Sequence, residues 1–248
     1  MASRRLQSCL TAVALLALGG CYAVDRTSAD RFTASGEMVA LSGGDAGATY
    51  ACFTCHGLDG RGDGAGAPRL AGLDRGYLEA QLEAYATGRR KHEAMAYLAA
   101  RLPWRDRQLV SAYYAQMPFT PGPMPHGPPP ALYASADPSR GLQPCAVCHG
   151  AAGEGVGTGN PPLGGHSAFY LAEQLDQWRR SERRSDPDNV MLEISRRLRP
   201  EEIRPLADYA ASLPGGPPSP ESPAASPSAH RAGPRNDVSG QRPHEAAR

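Results

Sequence analysis

Cys52, Cys55 and His56 stand as CxxCH in "YACFTCHGLD", and Cys145, Cys148 and His149 repeat the order in "QPCAVCHGAA". Two thiols at i and i+3 share one face of a helical turn. Both can therefore add across the two vinyl groups of one haem and form thioethers. The next residue, a histidine, is then held against one face of the porphyrin, where its imidazole can ligate iron. Three other chemistries compete. A thioredoxin-like redox pair needs a strand-to-helix βαβ setting, which the flanking sequence lacks. A zinc site built from the four cysteines needs both units to converge and gives no reason for each histidine. Chance can make one CxxCH, but two inside a longer repeat make it remote. The expected cofactors are two covalently bound haem c, on Cys52 and Cys55 and on Cys145 and Cys148, with His56 and His149 as iron ligands.

The sixth ligand of each iron decides between an electron carrier and a catalyst. Methionine opposite histidine raises the potential and fills the last position. After His149 the only methionine is Met191, and its partner in the first repeat is Met95. Met117 aligns with Leu213 as a core position, and Met124 lies in a linker. A buried core methionine is the plain alternative for Met95 and Met191. His92, His126 and His166 are substitutes without a partner at the matching position, while His230 and His244 sit in a polar tail.

These residues are carried by an internal duplication. An offset of 93 takes Cys52 to Cys145, Pro68 to Pro161, Leu70 to Leu163, Gly72 to Gly165, Tyr77 to Tyr170 and Gln81 to Gln174. After a three-residue insertion the offset becomes 96, pairing Met95 with Met191, Leu102 with Leu198 and Tyr113 with Tyr209. Each copy reads as helical. Leu78, Leu82 and Tyr85 make one helical stripe, which Leu171, Leu175 and Trp178 reproduce. Asp74 and Ser167 suit N-caps, Gly88 suits a C-terminal stop, and closing helices are expected over 105–117 and 200–213. Glycine-rich loops after each CxxCH rule out helix there and let backbone approach a flat ligand.

The rest of the chain is punctuation. "PFTPGPMPHGPPP" (118–130) holds seven prolines and reads as a semi-rigid polyproline II spacer. Residues 215–248 are Pro, Ser, Ala, Gly and Arg with little to bury, hence a disordered tail. The first 21 residues read as a targeting segment, with Arg4 and Arg5 before an apolar run too short to span a bilayer. "LGGC", Leu18 to Cys21, is similar to a bacterial lipobox. Cys21 is the expected lipidation site, and an ordinary signal peptide with an incidental cysteine is the alternative. Of six cysteines, none remains for a structural disulfide once the leader and both motifs are assigned. The formal net charge is +1, and no basic stripe exists, so nucleic acid is not an expected partner. Aromatics are only 6% of the residues, thin for two cores, so bound macrocycles would have to complete them.

The stretches "CFTCHG…PRLAG…YLEAQLEAYATGRR…M" and "CAVCHG…PPLGG…YLAEQLDQWRR…M" resemble the two halves of dihaem cytochrome c4-type proteins. The resemblance covers 36–118 and 131–214. It implies an all-α fold of two tandem class I cytochrome c domains at those bounds. The Pro-rich linker 119–130 would join them, with the tail 215–248 beyond. It implies His56 with Met95 and His149 with Met191 as axial pairs. Pro68 and Pro161 would orient the histidines through their carbonyls, unless they only rigidify a loop. It implies a single-electron carrier on the periplasmic side of a bacterial envelope, to which the lipobox adds an expected anchor through Cys21, the chain being otherwise soluble there. Its partners would be a donor dehydrogenase or cytochrome complex and an acceptor terminal oxidase. The alternatives are a dihaem enzyme of the thiosulfate dehydrogenase or peroxidase kind, with one haem open, or a cytochrome subunit of a dehydrogenase complex. The lipobox, the proline-dense linker, the long tail and the extra loop residues before Met191, where Ser181 replaces Gly88, depart from the family pattern.

Overall fold

The computed structural model describes residues 35–157 and 159–216. The leader with Cys21, Thr158 and residues 217–248 of the tail lie outside the described residues. Among the described residues the chain is helical, as expected. No strand forms, and two isolated bridges join Arg90 to Arg183 and Asp137 to Leu142. No described helix is long and apolar enough to cross a membrane.

The first repeat runs α1 (35–42), α2 (Phe53–His56), α3 (Arg75–Ala86), α4 (Glu93–Arg101) and α5 (Trp104–Gln116). The second runs α6 (Ala131–Ala134), α7 (Cys145–His149), α8 (Ala168–Arg179), α9 (Val190–Arg197) and α10 (Pro200–Ser212). Asp74 caps α3 by accepting from the Tyr77 N–H at 2.8 Å, and Ser167 Oγ caps α8 by accepting from the Tyr170 N–H at 3.0 Å. Each satisfies a backbone donor that the first turn leaves unpaired. Beyond α3, Gly88 turns the chain with φ +72°, and Ser181 does the same after α8 at φ 60°. The second repeat thus holds a residue with a Cβ in a conformation that suits glycine.

Two separate cores follow from the two stripes. Leu78, Leu98, Leu102, Val110 and Tyr114 centre the first, and Leu171, Leu198, Ile203, Leu206 and Leu213 centre the second. In the first, α1 crosses α5 so closely that a Cβ on Gly36 would lie 2.2 Å from the Leu109 carbonyl oxygen. The second has only the single turn α6 at the corresponding place. Tyr133 on that turn donates from its hydroxyl to the Gly150 carbonyl at 2.8 Å and meets Tyr209 edge-on at 4.9 Å.

Met95 and Met191 occupy the first turns of α4 and α9. A side chain just upstream caps each turn, which periodicity alone does not reveal. The linker, moreover, begins as packed structure. Phe119 lies between the two repeats, where a Cβ on Gly72 or on Gly165 would come within 3.2 or 2.6 Å of it. The matched glycines of "RLAG" and "PLGG" leave room for that side chain, Gly72 for its Cβ and Gly165 for its ring.

Candidate functional site

Each CxxCH ends in a short helix that buries its histidine. The His56 Nδ1 lies 2.9 Å from the Pro68 carbonyl oxygen, and the His149 Nδ1 lies 2.9 Å from that of Pro161. A carbonyl only accepts, so Nδ1 carries the proton in both rings and Nε2 is left with its lone pair. Burial holds both imidazoles below their usual range. The result is a neutral, oriented nitrogen with a free lone pair, the form a metal takes.

Burial pushes the Cys52 and Cys145 thiols up to about 11. That is the reverse of an activated redox pair, whose thiol is lowered by neighbouring positive charge. The four cysteines form no disulfide, and no three His, Cys, Asp or Glu side chains gather around a metal position among the described residues. Neither the thioredoxin-like nor the zinc arrangement is built here.

In the first repeat Cys52, Cys55, His56 and Met95 line one cavity of about 490 Å³, walled by Leu78 and Leu98. The second repeat contributes part of the wall through His166, Tyr170 and Gln174. The Met95 N–H donates to the His92 Nδ1 at 3.3 Å. Met191 is held differently: its N–H donates to Asp186 Oδ2 at 2.8 Å, and the Trp178 indole donates to Oδ1 at 2.7 Å. Of the other candidates, His126 is exposed and Met124 is 47% exposed in the linker. Met117 packs on the first core at the end of α5. His92 spends its Nδ1 on the cap of α4. His166 donates from Nδ1 to the Leu163 carbonyl at 3.2 Å and stacks on Tyr170.

The largest feature that the sequence reading missed lies where the repeats meet. Arg90 and Arg183, each 3% exposed, face one another across a pseudo-twofold axis. Arg90 donates to Gln81 at 3.0 Å in its own repeat, and to Tyr170 at 2.9 Å and Gln174 at 2.7 Å in the other. Arg183 mirrors this, reaching Gln174 at 2.8 Å, Tyr77 at 3.1 Å and Gln81 at 3.2 Å. Each guanidinium also lies over an aromatic ring, Tyr85 or Trp178. Two buried like charges carry no carboxylate among these partners, and Arg90 Nε has none at all. Such a pair is costly unless an anion joins it. The signal was present: the offset of 93 that joins Tyr77 to Tyr170 and Gln81 to Gln174 also joins Arg90 to Arg183.

Comparison with known proteins now has a geometry to meet. The family model described as cytochrome c matches residues 44–125, which is the first repeat and part of the linker. The chain is 37% identical over 187 residues to the thiosulfate dehydrogenase electron acceptor of Stutzerimonas stutzeri strain A1501, covering 73% of this chain and 87% of that protein. It is 32% identical over 184 residues to cytochrome c4 of Pseudomonas aeruginosa, covering 71% of this chain and 92% of that one. Similarity across both repeats decides the matter. The chain belongs to the dihaem cytochrome c4 family. It is also similar to the solved thiosulfate dehydrogenase (TsdBA) of Marichromatium purpuratum, with a TM-score of 0.63 and 36% identity over 77% of this chain. The chain spans only 43% of that longer protein.

As a cytochrome c4 family member the chain is a dihaem electron-transfer protein with two covalently bound haem c. The residues present fit that cofactor. The cavity wall is largely apolar, as a macrocycle requires. The unpaired Arg90 Nε, on a residue that lines this cavity, suits the anionic propionate edge. Bound there, the haems supply reversible one-electron chemistry at iron. The protein contributes attachment, an oriented imidazole, a dry wall and buried positive charge.

Proposed function

We propose that this cytochrome accepts electrons from a thiosulfate-oxidising dehydrogenase and passes them to a terminal oxidase, without catalysing substrate chemistry itself. The observation that carries the proposal is the 37% identity, spanning 87% of its length, with a protein named for accepting electrons from thiosulfate dehydrogenase. A dehydrogenase removes electrons in pairs, and two one-electron haems can take up one pair. In this reading His56 with Met95 and His149 with Met191 fill both axial positions, so no iron is open to substrate. Pro68 and Pro161 fix the imidazole tautomers, which supports a stable ligand set. The chain works on the periplasmic side of the envelope, with Cys21 as its lipid anchor.

The test is reduction of the purified holoprotein followed by stopped-flow absorbance. Thiosulfate alone should leave both haems oxidised, and catalytic amounts of a relative's thiosulfate dehydrogenase should then reduce both. Carbon monoxide should bind neither reduced haem. Reduction by thiosulfate without the dehydrogenase, together with carbon monoxide binding at one iron, would transfer the protein to the enzyme class.

A further inference from the structure

The pseudo-twofold is broken at one buried charge. The offset of 93 places Pro162 opposite Arg69, so the second repeat has no counterpart to this guanidinium. Arg69 is 1% exposed, and its Nε and Nη2 have no hydrogen-bond partner. Its guanidinium lies 3.6 Å from the centre of the Phe119 ring, and it lines the first cavity together with Cys52, His56 and Met95. Burial alone pulls it down to about 10, the mark of a cation without a counter-charge.

Nothing nearby cancels it. Asp63 and Glu173 also line the first cavity. Asp63 is exposed and already accepts from the Ala65 and Ala67 N–H groups at 2.8 and 2.9 Å. Glu173 is 40% exposed and paired with Arg180 at 3.1 Å. His166, which replaces Leu73 of the first repeat, is buried against the same cavity and is held neutral. A buried, unpaired cation outweighs carboxylates that face water.

We infer that Arg69 holds the anionic edge of the first haem and makes that haem the higher-potential one of the two. Reduction of ferric to ferrous iron adds one electron and removes one unit of positive charge from the centre. A fixed cation beside it therefore favours the reduced form. An electron that enters at the second haem then moves to the first: the second iron is oxidised to ferric, the first is reduced to ferrous, and no proton is exchanged. The first repeat becomes the exit side. The inference rests on the two bound haems and not on which dehydrogenase supplies the electron, so failure of the thiosulfate assay leaves it standing.

Spectroelectrochemical titration of the holoprotein, with haem methyl resonances assigned to each domain, tests it. The unmodified protein should show the first haem reducing at the higher potential. Arg69→Met should shift the electron's distribution about tenfold toward the second haem, about 59 mV at the first haem, with the second nearly unmoved. Arg69→Lys, which keeps the charge, should recover most of that shift, as a purely structural role would not require. A lower-potential first haem in the unmodified protein overturns the inference, even if the variants fail to fold. So does an Arg69→Met protein with both potentials unchanged.

Discussion

His166 illustrates what one residue can do when a repeat diverges. It stands where the first copy has Leu73, yet it is buried in the same kind of position. Burial first, then the nearby Arg69 cation and more weakly Arg183, push its imidazole down to about 3, against the opposing pull of the Leu163 and Gly164 backbone. The unfolded chain therefore binds a proton below about pH 6.5 that the folded chain refuses. Stability falls as pH falls through that window, by about 1.4 kcal/mol for each unit until the folded group also titrates. His166→Leu should flatten the loss between pH 6.5 and pH 4.5 by about 2–3 kcal/mol, measured by denaturant unfolding at each pH. An unchanged slope would mean that the ring is not buried neutral. The sequence showed His166 only as a histidine without a repeat partner and offered it as a substitute iron ligand. Its actual role depends on Tyr170, which stacks on it, and on Arg69 from the other repeat, contacts that no spacing encodes. By contrast, the two CxxCH motifs and their prolines were readable, because their chemistry is local.

At the scale of elements, the repeats differ most in how they start the helix that bears the methionine. α4 begins on the His92 cap, whereas α9 begins after a turn in which Asp188 and Asn189 hold φ values of 54° and 56°. Asp186 fastens that turn through the Trp178 indole and the Met191 N–H. A left-handed pair without glycine costs on the order of 1 kcal/mol or more per residue unless neighbours hold it. Asp186→Ala removes both hydrogen bonds and should cost about 1–3 kcal/mol. It should also weaken the methionine signature of the second haem in proton NMR, leaving the first unchanged. Asn189→Ala should destabilise by about 1 kcal/mol while Asn189→Gly stays near neutral, because only the former resists the positive φ. Equal effects of the two Asn189 variants would show that the turn is unstrained. The three-residue insertion was visible in the sequence, and so was the loss of Gly88 to Ser181. The short α9 was not: its first turn depends on an acid five residues upstream rather than on periodicity.

The whole molecule is organised around the meeting of the repeats, and a spacer-like linker did not foretell it. Arg90 and Arg183 each bond to both Gln81 and Gln174 and to the tyrosine of the opposite repeat, so neither repeat completes its own polar set. The backbone follows: the Lys91 N–H donates to the Glu182 carbonyl at 3.0 Å, and the Arg184 N–H to that of Arg89 at 2.6 Å. Removing one arginine strips partners from buried Tyr and Gln side chains in both halves, a loss of about 3 kcal/mol or more. Arg90→Met and Arg183→Met should therefore each split a single calorimetric transition of the holoprotein into two, the halves now melting independently. Because either guanidinium alone still serves both Gln81 and Gln174, the double variant should cost more than the sum of the single ones. Additive costs would mean two independent anchors, each serving only its own haem. A cost beyond the sum would mean that each haem pocket is finished by the neighbouring repeat, which makes the duplication a structural requirement rather than a tandem convenience.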